Sequence, residues 1–419
     1  MSAAPPLFVL YVPGLDRRRV TRENTPFVYD ALARFPNVAL RTLPTTELVP
    51  TLFTGTWPHE HGIWQVKLRR DVRDTWAARA LSLVPDAVTT TVQGVRHVID
   101  RNYDLATVPW RRRRRFELRR FKYTRRTGGD LAFGEGRGVA SLFDHLGERG
   151  RYLFTMRFSE LERLGNELPS GRFDLELLEM YAFDVLSHWN LDRPDVIRVC
   201  LARVDEFVRR VAHRARERGV RLMLLVDHGQ ELVRERIDLR GRLRESRVPG
   251  REYDYFLEVG VARLWFHTER ARRTLLDVLR ATPRLRVLGA PDLRELGIDF
   301  PDDSFGEAYV IADHGVAFFP HDYYQPLANV FLGLTHDAQR PRVGDPRHRG
   351  SHGQHPDHAS ETGSLCLLED GFVADREESP LVDFAPTVLA LLGRPPLPSM
   401  GGRACFRESG PHGSAIAGR

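Results

Sequence analysis

The alternation of strand and helix patterns predicts an α/β chain built on a mainly parallel sheet with helices on both faces, and three segments carry that prediction. Residues 7–12 (Leu-Phe-Val-Leu-Tyr-Val) form a short continuous apolar run that stops at Pro13-Gly14, as a strand buried on both faces does. Residues 221–226 repeat the pattern and end at Asp227-His228-Gly229. Between them, residues 195–218 set Val196, Val199, Leu201, Val204, Phe207, Val208 and Val211 mostly three or four positions apart, a helical stripe that Gly219 stops. Parallel strands need crossover helices of this kind, and the helices cover the sheet.

The remaining elements follow in order. Asn24-Thr25-Pro26 opens a helix predicted to run through Arg34, with a polar cap and a proline in its first turn. A second strand over residues 38–43 leads into Pro44-Thr45-Thr46-Glu47 and an amphipathic helical run ending in Thr54-Gly55. After Trp57-Pro58-His59-Glu60-His61-Gly62 the pattern becomes irregular. Residues 65–136 read as an arginine-rich, partly helical insertion over the sheet, and residues 111–115 are five consecutive arginines. A strand is expected again over residues 151–156. Residues 231–347 form a second variable region, and the two insertions are expected to make a cap on a single domain spanning 1–419. A helix and a Pro/Gly-rich turn over residues 379–403 close the chain.

A chain of 419 residues, 42% of them hydrophobic, has enough apolar material for a large core. Residues 7–12 are too short for a signal-peptide core and no basic residue precedes them. No stretch approaches the roughly 20 apolar residues of a membrane span, and a cytoplasmic protein is the expectation. Cys200, Cys366 and Cys405 are too few and too scattered for a disulfide framework or a thiolate metal site. The net charge of +6 comes almost wholly from arginine, since Lys67 and Lys122 are the only lysines. Such a surface attracts anionic substrates and nucleic acid alike. The run at 111–122 reads first as a solvated face anchored by Trp110, Phe116, Leu118 and Phe121, because no nucleic-acid motif accompanies it.

Candidate chemistry gathers at strand ends. In a doubly wound sheet, functional side chains lie just past the carboxyl ends of the strands, and Asp227 and His228 stand there. Asp184 and His188 are four apart, so on a helix they share a face. His352, in Gly-Ser-His-Gly, lies between turns. Together these residues offer three imidazoles and two carboxylates, a donor set suited to zinc or a similar divalent ion. Thr45 and Thr46 offer hydroxyl nucleophiles, so hydrolysis of a phosphate ester is the chemistry such a group would serve.

Taken in order, Thr54-Gly55, Pro58-His59-Glu60-His61-Gly62, Asp184-x-x-x-His188, Asp227-His228-Gly229, His352-Gly353 and the ending Asp383-Phe384-Ala385-Pro386-Thr387 resemble the alkaline phosphatase superfamily. Within it they resemble the type I phosphodiesterase/nucleotide pyrophosphatase family. The resemblance spans nearly the whole chain outside the two insertions. It implies an alkaline-phosphatase-like fold and two divalent metal ions, Zn2+ by expectation. Asp184, His188 and His352 would hold one ion, and Asp227 and His228 the other, with the nucleophile's oxygen. The family's nucleophile lies nine positions before the threonine of Thr-Gly, which gives Thr45; a shift of one gives Thr46, and both remain candidates.

The chain departs from the family at one ligand. Where the family has an aspartate before the glycine that ends strand one, this sequence has Pro13, in Val12-Pro13-Gly14-Leu15-Asp16. Asp16 is the candidate replacement, with an ordinary capping or salt-bridged role as the alternative. The resemblance implies a phosphodiesterase or nucleotide pyrophosphatase acting on a small anionic phosphate ester. A phosphomonoesterase or phosphonate hydrolase shares the same metals, and the alternative class is a weakly active or non-catalytic member that binds anionic ligands or nucleic acid. A sulfatase would need cysteine or serine in the nucleophile turn, and there is none.

Overall fold

All five residues of the first strand, β1 (Leu7–Tyr11), are buried, and alternate side chains enter opposite apolar layers. Leu7, Val9 and Tyr11 join one layer, while Phe8 and Leu10 join the other with Val12. Burial on both faces is the reason the sequence reads as an unbroken apolar run. The protein is described here by a computed structural model that covers residues 4–65, 67–69, 76, 80, 83–99, 116–118, 139–335, 340–345 and 347–409. The five arginines at 111–115 lie outside the described residues, as does most of the stretch around them.

The other strands of the central sheet are β2 (Asn37–Arg41), β3 (Gly150–Thr155), β4 (Leu175–Met180), β5 (Arg221–Val226), β6 (Thr362–Leu367) and β7 (Glu378–Pro380). Their spatial order is β7-β2-β6-β5-β1-β4-β3. β1 runs parallel to β4 and β5, β3 parallel to β4, and β7 parallel to β2, while β6 is antiparallel to both of its neighbours. The expected mostly parallel sheet is therefore present, with one reversed strand inside it. The long helix Pro194–Glu217 and the helix Pro26–Arg34 cover one face; Val49–Thr54, Leu142–Leu146 and Phe384–Leu391 cover the other. Phe53 anchors that second layer, with its ring edge-on to Phe143 at 5.2 Å and to Tyr152 at 5.7 Å.

The boundaries differ little from expectation: the helix set at 195–218 spans Pro194–Glu217, and the strand set at 38–43 ends at Arg41. β4 and β6 carry no plain apolar signal, because Glu176 and Glu179 interrupt the first and Gly363 and Ser364 the second. Residues 253–312 contribute a four-stranded antiparallel sheet ordered Tyr253–Leu257, Val261–Phe266, Ala308–Ala312, Leu285–Val287. The helix Glu269–Ala281 closes one face of it with Ala271, Leu275 and Leu279. The other face meets the central domain through buried Trp64, whose ring stands edge-on to Tyr309 at 4.7 Å. Among the described residues, no helix is long and apolar enough to cross a membrane.

The reversed strand has a consequence for position. The carboxyl ends of β1, β4 and β5 share one edge of the sheet with the amino end of β6, so the chain that precedes β6 arrives at the same place as the segments that leave the other three. Gly363 makes this fit possible: a Cβ there would lie 2.3 Å from the Val226 carbonyl oxygen and 2.6 Å from that of Asp227. Gly363→Ala is expected to push β6 off β5 and to cost about 1–3 kcal/mol of stability, read as a lower urea midpoint by circular dichroism. Gly250→Ala, whose Cβ would meet nothing within 4 Å, is expected to leave the midpoint unchanged.

Candidate metal centre

β4 ends at Met180, and the chain turns through Tyr181 into the helix Ala182–Asn190. The four-residue spacing puts Asp184 and His188 on one face of that helix, which looks at the segment entering β6. There His352 is followed by Gly353 at φ +79°, and a Cβ on Gly353 would lie 3.0 Å from the Thr45 carbonyl oxygen. The turn therefore brings His352 to the helix face and seats its neighbour against the threonine loop. His188 Nε2 lies 3.3 Å from Asp184 Oδ2, His352 Nε2 lies 3.7 Å from Asp184 Oδ1, and the two Nε2 atoms are 3.1 Å apart. Among the described residues, these three form the one cluster of at least three histidine, cysteine or acidic groups close enough to share an ion.

The donor set fits a divalent cation. Four ligand atoms about 2.0–2.1 Å from a tetrahedral ion stand about 3.4 Å from one another, and the three separations bracket that figure. His188 donates Nδ1–H to the Gly350 carbonyl at 3.0 Å, which fixes its tautomer and turns the Nε2 lone pair inward. Asp184 has no exposure. Its Oδ1 accepts from Gln230 Nε2 at 2.6 Å, but Oδ2 is buried without a hydrogen-bond partner, and so is His352 Nδ1. A buried carboxylate oxygen left bare is costly unless a cation meets it. Burial pushes the Asp184 carboxyl upward, yet His188 and His352 outweigh it and hold the group well below the usual carboxylate range. Burial, reinforced by the charge of His228, drives His352 well below its ordinary value. A neutral imidazole is the form that binds metal.

Asp227 and His228 follow β5 and lie beside this cluster, with the His228 ring stacked on His352 at 3.6 Å. Asp227 accepts from the Tyr11 hydroxyl at 2.5 Å, from the His228 backbone N–H at 2.9 Å and from the Gly14 N–H at 3.3 Å. His228 donates Nδ1–H to the Gly229 carbonyl at 2.8 Å and sets Nε2 3.2 Å from Asp227 Oδ2. Burial opposes charge on His228, but Asp227 prevails and lifts it to about 10. Asp16 does not join this pair. It is 1% exposed, caps the turn Arg17–Arg19, and takes the Arg18 guanidinium at 2.6 Å and the Arg18 backbone N–H at 2.9 Å. Of the two roles open to Asp16, the capping and ion-paired one is realised.

The two threonines differ sharply. Thr45 is buried, donates its hydroxyl to the Trp64 carbonyl and accepts the Glu47 N–H at 2.9 Å. That is the work of a turn-stabilising residue. Thr46 is exposed, and its hydroxyl makes no hydrogen bond to the described residues. Counting from Thr54 favours Thr45, whereas the free hydroxyl belongs to Thr46.

Sequence reasoning missed Tyr11, Arg18, Gln230, Glu179 and Glu361. Glu361 is buried, with Oε2 accepting the Gly353 N–H at 3.0 Å, and burial lifts its carboxyl to about 7. Glu179 lies opposite Tyr11 in the sheet register, takes a hydrogen bond from the Tyr152 hydroxyl, and is raised by burial to about 8. A glutamate at a layer-facing position of an otherwise apolar strand is the signal that could have marked Glu179.

No family model matches the sequence, and no curated protein matches it. Solved structures do resemble it. Murine ectonucleotide pyrophosphatase/phosphodiesterase 5 superposes with a TM-score of 0.60 at 15% identity, covering 94% of this chain and 96% of that one. An inactive threonine-to-alanine variant of the murine protein in complex with AMP gives 0.60 at 14%, and the human protein 0.59 at 15%, both with the same coverage. The chain shares the alkaline-phosphatase-like fold of these proteins.

Glu179 yields a test of the buried layer beneath the centre. Unfolded, the carboxyl titrates near its ordinary value of about 4.5; folded, it is raised to about 8. Between those values the folded chain keeps a proton that the unfolded chain has lost, so stability falls as pH rises through that window. Glu179→Gln is expected to raise the melting temperature by a few degrees at pH 8 and to leave it unchanged at pH 4.5, measured by scanning calorimetry at both values.

Proposed function

We propose that the chain is a metal-dependent hydrolase of phosphate esters, a phosphodiesterase of the nucleotide pyrophosphatase type with Thr46 as nucleophile. One observation carries the reading: a buried carboxylate and two imidazoles with converging lone pairs, packed against a turn that presents an exposed threonine. The fold it shares with ectonucleotide pyrophosphatase/phosphodiesterase 5 supports the reaction class, and the AMP bound to the murine variant supports a nucleotide-like ester as substrate.

Asp184, His188 and His352 would hold the ion. When bound, it supplies positive charge to a nonbridging phosphate oxygen as negative charge builds there. The chain's own residues do the rest. Thr46 Oγ attacks phosphorus, an Oγ–P bond forms, the bond from phosphorus to the leaving oxygen breaks, and the threonine proton ends on the departing alcohol. Water then attacks the phosphothreonine, restores the hydroxyl and releases the phosphate monoester. Thr45 shapes the turn that aims Thr46, through its bonds to Trp64 and Glu47. Gln230 holds Asp184 in place from one side and Gly350 holds His188 from the other. The net charge of +6 favours the approach of an anionic ester.

Turnover of bis-p-nitrophenyl phosphate and p-nitrophenyl phosphate tests this reading. Thr46→Ala is expected to lower kcat/KM on the diester by about 10³-fold or more, while Thr45→Ala lowers stability and affects turnover far less. Chelation is expected to abolish activity and Zn2+ to restore it. Full activity in Thr46→Ala would refute the nucleophile, and preference for the monoester would refute the diesterase assignment.

A further inference from the structure

The resemblance in sequence implies two ions, but the residues at the second position do not fit one. We propose that this chain is built for a single divalent ion, held by Asp184, His188 and His352, and that protein groups fill the place of the second. The inference rests on the metal-dependent reading above and refines it.

Ligand count is the first argument. Asp227 and His228, even with the nucleophile's oxygen, would lack the carboxylate that the resemblance assigns to this ion. The residue before Gly14 is Pro13, which has no donor side chain, and among the described residues no other histidine, cysteine or acidic group completes a cluster with this pair. Asp16 cannot serve, because its oxygens face the Arg18 guanidinium. Arg18 Nη1 also reaches Glu231 at 2.8 Å and Nη2 the Gln230 carbonyl at 3.0 Å. A fixed cation thus clamps Asp16 to the segment that follows Asp227-His228. Asp16 also packs directly on Gly229, where a Cβ would lie 2.7 Å from Asp16 Cγ, so the Arg18-bound carboxylate is wedged against that segment.

The state of Asp227 is the second argument. Both of its oxygens are taken: Oδ1 by two backbone N–H groups, Oδ2 by Tyr11. At 2.5 Å the Tyr11 bond has the length of a charge-assisted O–H···O⁻ contact. Tyr11 is the last residue of β1, two positions before Pro13 in the turn that follows. Its hydroxyl occupies the Asp227 oxygen that a second ion would need. His228, for its part, aims Nε2 at Asp227 and stacks its ring flat on His352, at an interplanar angle of 12°. The contrast with Asp184 is plain. One carboxylate is saturated by protein donors, and the other keeps a buried oxygen with none.

The turn explains why the two positions diverged. Gly14, at φ +74°, passes so close to the first centre that a Cβ on it would sit 2.7 Å from Asp184 Oδ1. Its N–H donates to Asp227. The Pro13-Gly14 backbone thus packs against one carboxylate and hydrogen-bonds the other, where a two-ion enzyme would place a ligand side chain.

Metal counting decides the matter without reference to turnover. The full-length chain is loaded with excess Zn2+, freed of unbound ion by gel filtration, and analysed by mass spectrometry for zinc per chain. One ion is expected for the wild type, one for Asp227→Asn, and none for Asp184→Asn. The double variant Tyr11→Phe with Pro13→Asp, which vacates Asp227 and returns a carboxylate, is expected to bind two. Two ions in the wild type, falling to one in Asp227→Asn, would overturn this inference and leave the hydrolase reading intact. No ion in the wild type would overturn both. A double variant that keeps its circular dichroism spectrum but binds one ion would also overturn the inference.

Discussion

Asp184 holds a negative charge where water cannot reach it, and one of its oxygens finds no hydrogen-bond donor among the described residues. An unpaired carboxylate in such surroundings costs several kcal/mol, so the fold must surround it with groups that either offset the charge or hold a cation that does. His188 and His352 take that place, each with a nitrogen aimed at the carboxylate. Gln230 satisfies the remaining oxygen, and Gly14 lets the chain after β1 pass within contact of it. The buried charge thus dictates the residues at four separate points of the sequence.

Those points meet because of one reversed strand. In a wholly parallel sheet, the segment entering a strand lies at the opposite end from the segments leaving its neighbours. β6 runs against β5 and β2, so residues 352–361 arrive at the end where residues 12–16, 181–188 and 227–230 depart. Gly363 carries the steric demand of that arrangement, and Glu361, just before it, ties the Gly353 N–H that shapes the turn after His352. The same segment bonds back to the centre through the Ser360 carbonyl, which accepts the Gly229 N–H at 2.9 Å. Reversal of β6 is therefore what converts a generic α/β sheet into one that can close a three-residue metal cluster.

What the sequence discloses about this site follows the range of the interaction. Asp184 and His188 were legible because four residues of helix make one turn, and Asp227-His228 because an apolar run stops just before them. The parallel strands β1 and β5 were legible for the same reason of burial on both faces. β4 and β6 were not, since glutamates break one pattern and small polar residues the other. Tyr11 read as one more apolar residue of a strand; its hydroxyl finds Asp227 across 216 positions of chain. Asp16 had a plausible place in sequence, but the direction of its side chain is set by a turn and by Arg18. The different surroundings of Thr45 and Thr46 were hidden likewise, because a count of residues along a turn does not say which hydroxyl is buried against Trp64 and which is exposed.

The four-stranded sheet over the site is tied to the threonine turn through the Trp57–Trp64 segment. The Thr45 hydroxyl bonds to the carbonyl of Trp64, and the Trp64 side chain is wedged among Tyr309, Phe305 and Phe300 beside the four-stranded sheet of residues 253–312. A second tie lies nearby, where the His59 N–H and its Nδ1 both reach the Gly297 carbonyl. Gly297 can approach because it lacks a side chain; a Cβ there would press on the Trp57 ring at 2.6 Å. The turn that presents Thr46 is thus fixed from two sides, by Gly353 below and by the Trp57–Trp64 segment above. Changes in the sheet of residues 253–312 that shift Tyr309 or Phe305 would move Trp64 and, with it, the turn of Thr45 and Thr46. Under the proposed hydrolase reading, the overlying sheet is therefore part of the frame that holds the threonine turn.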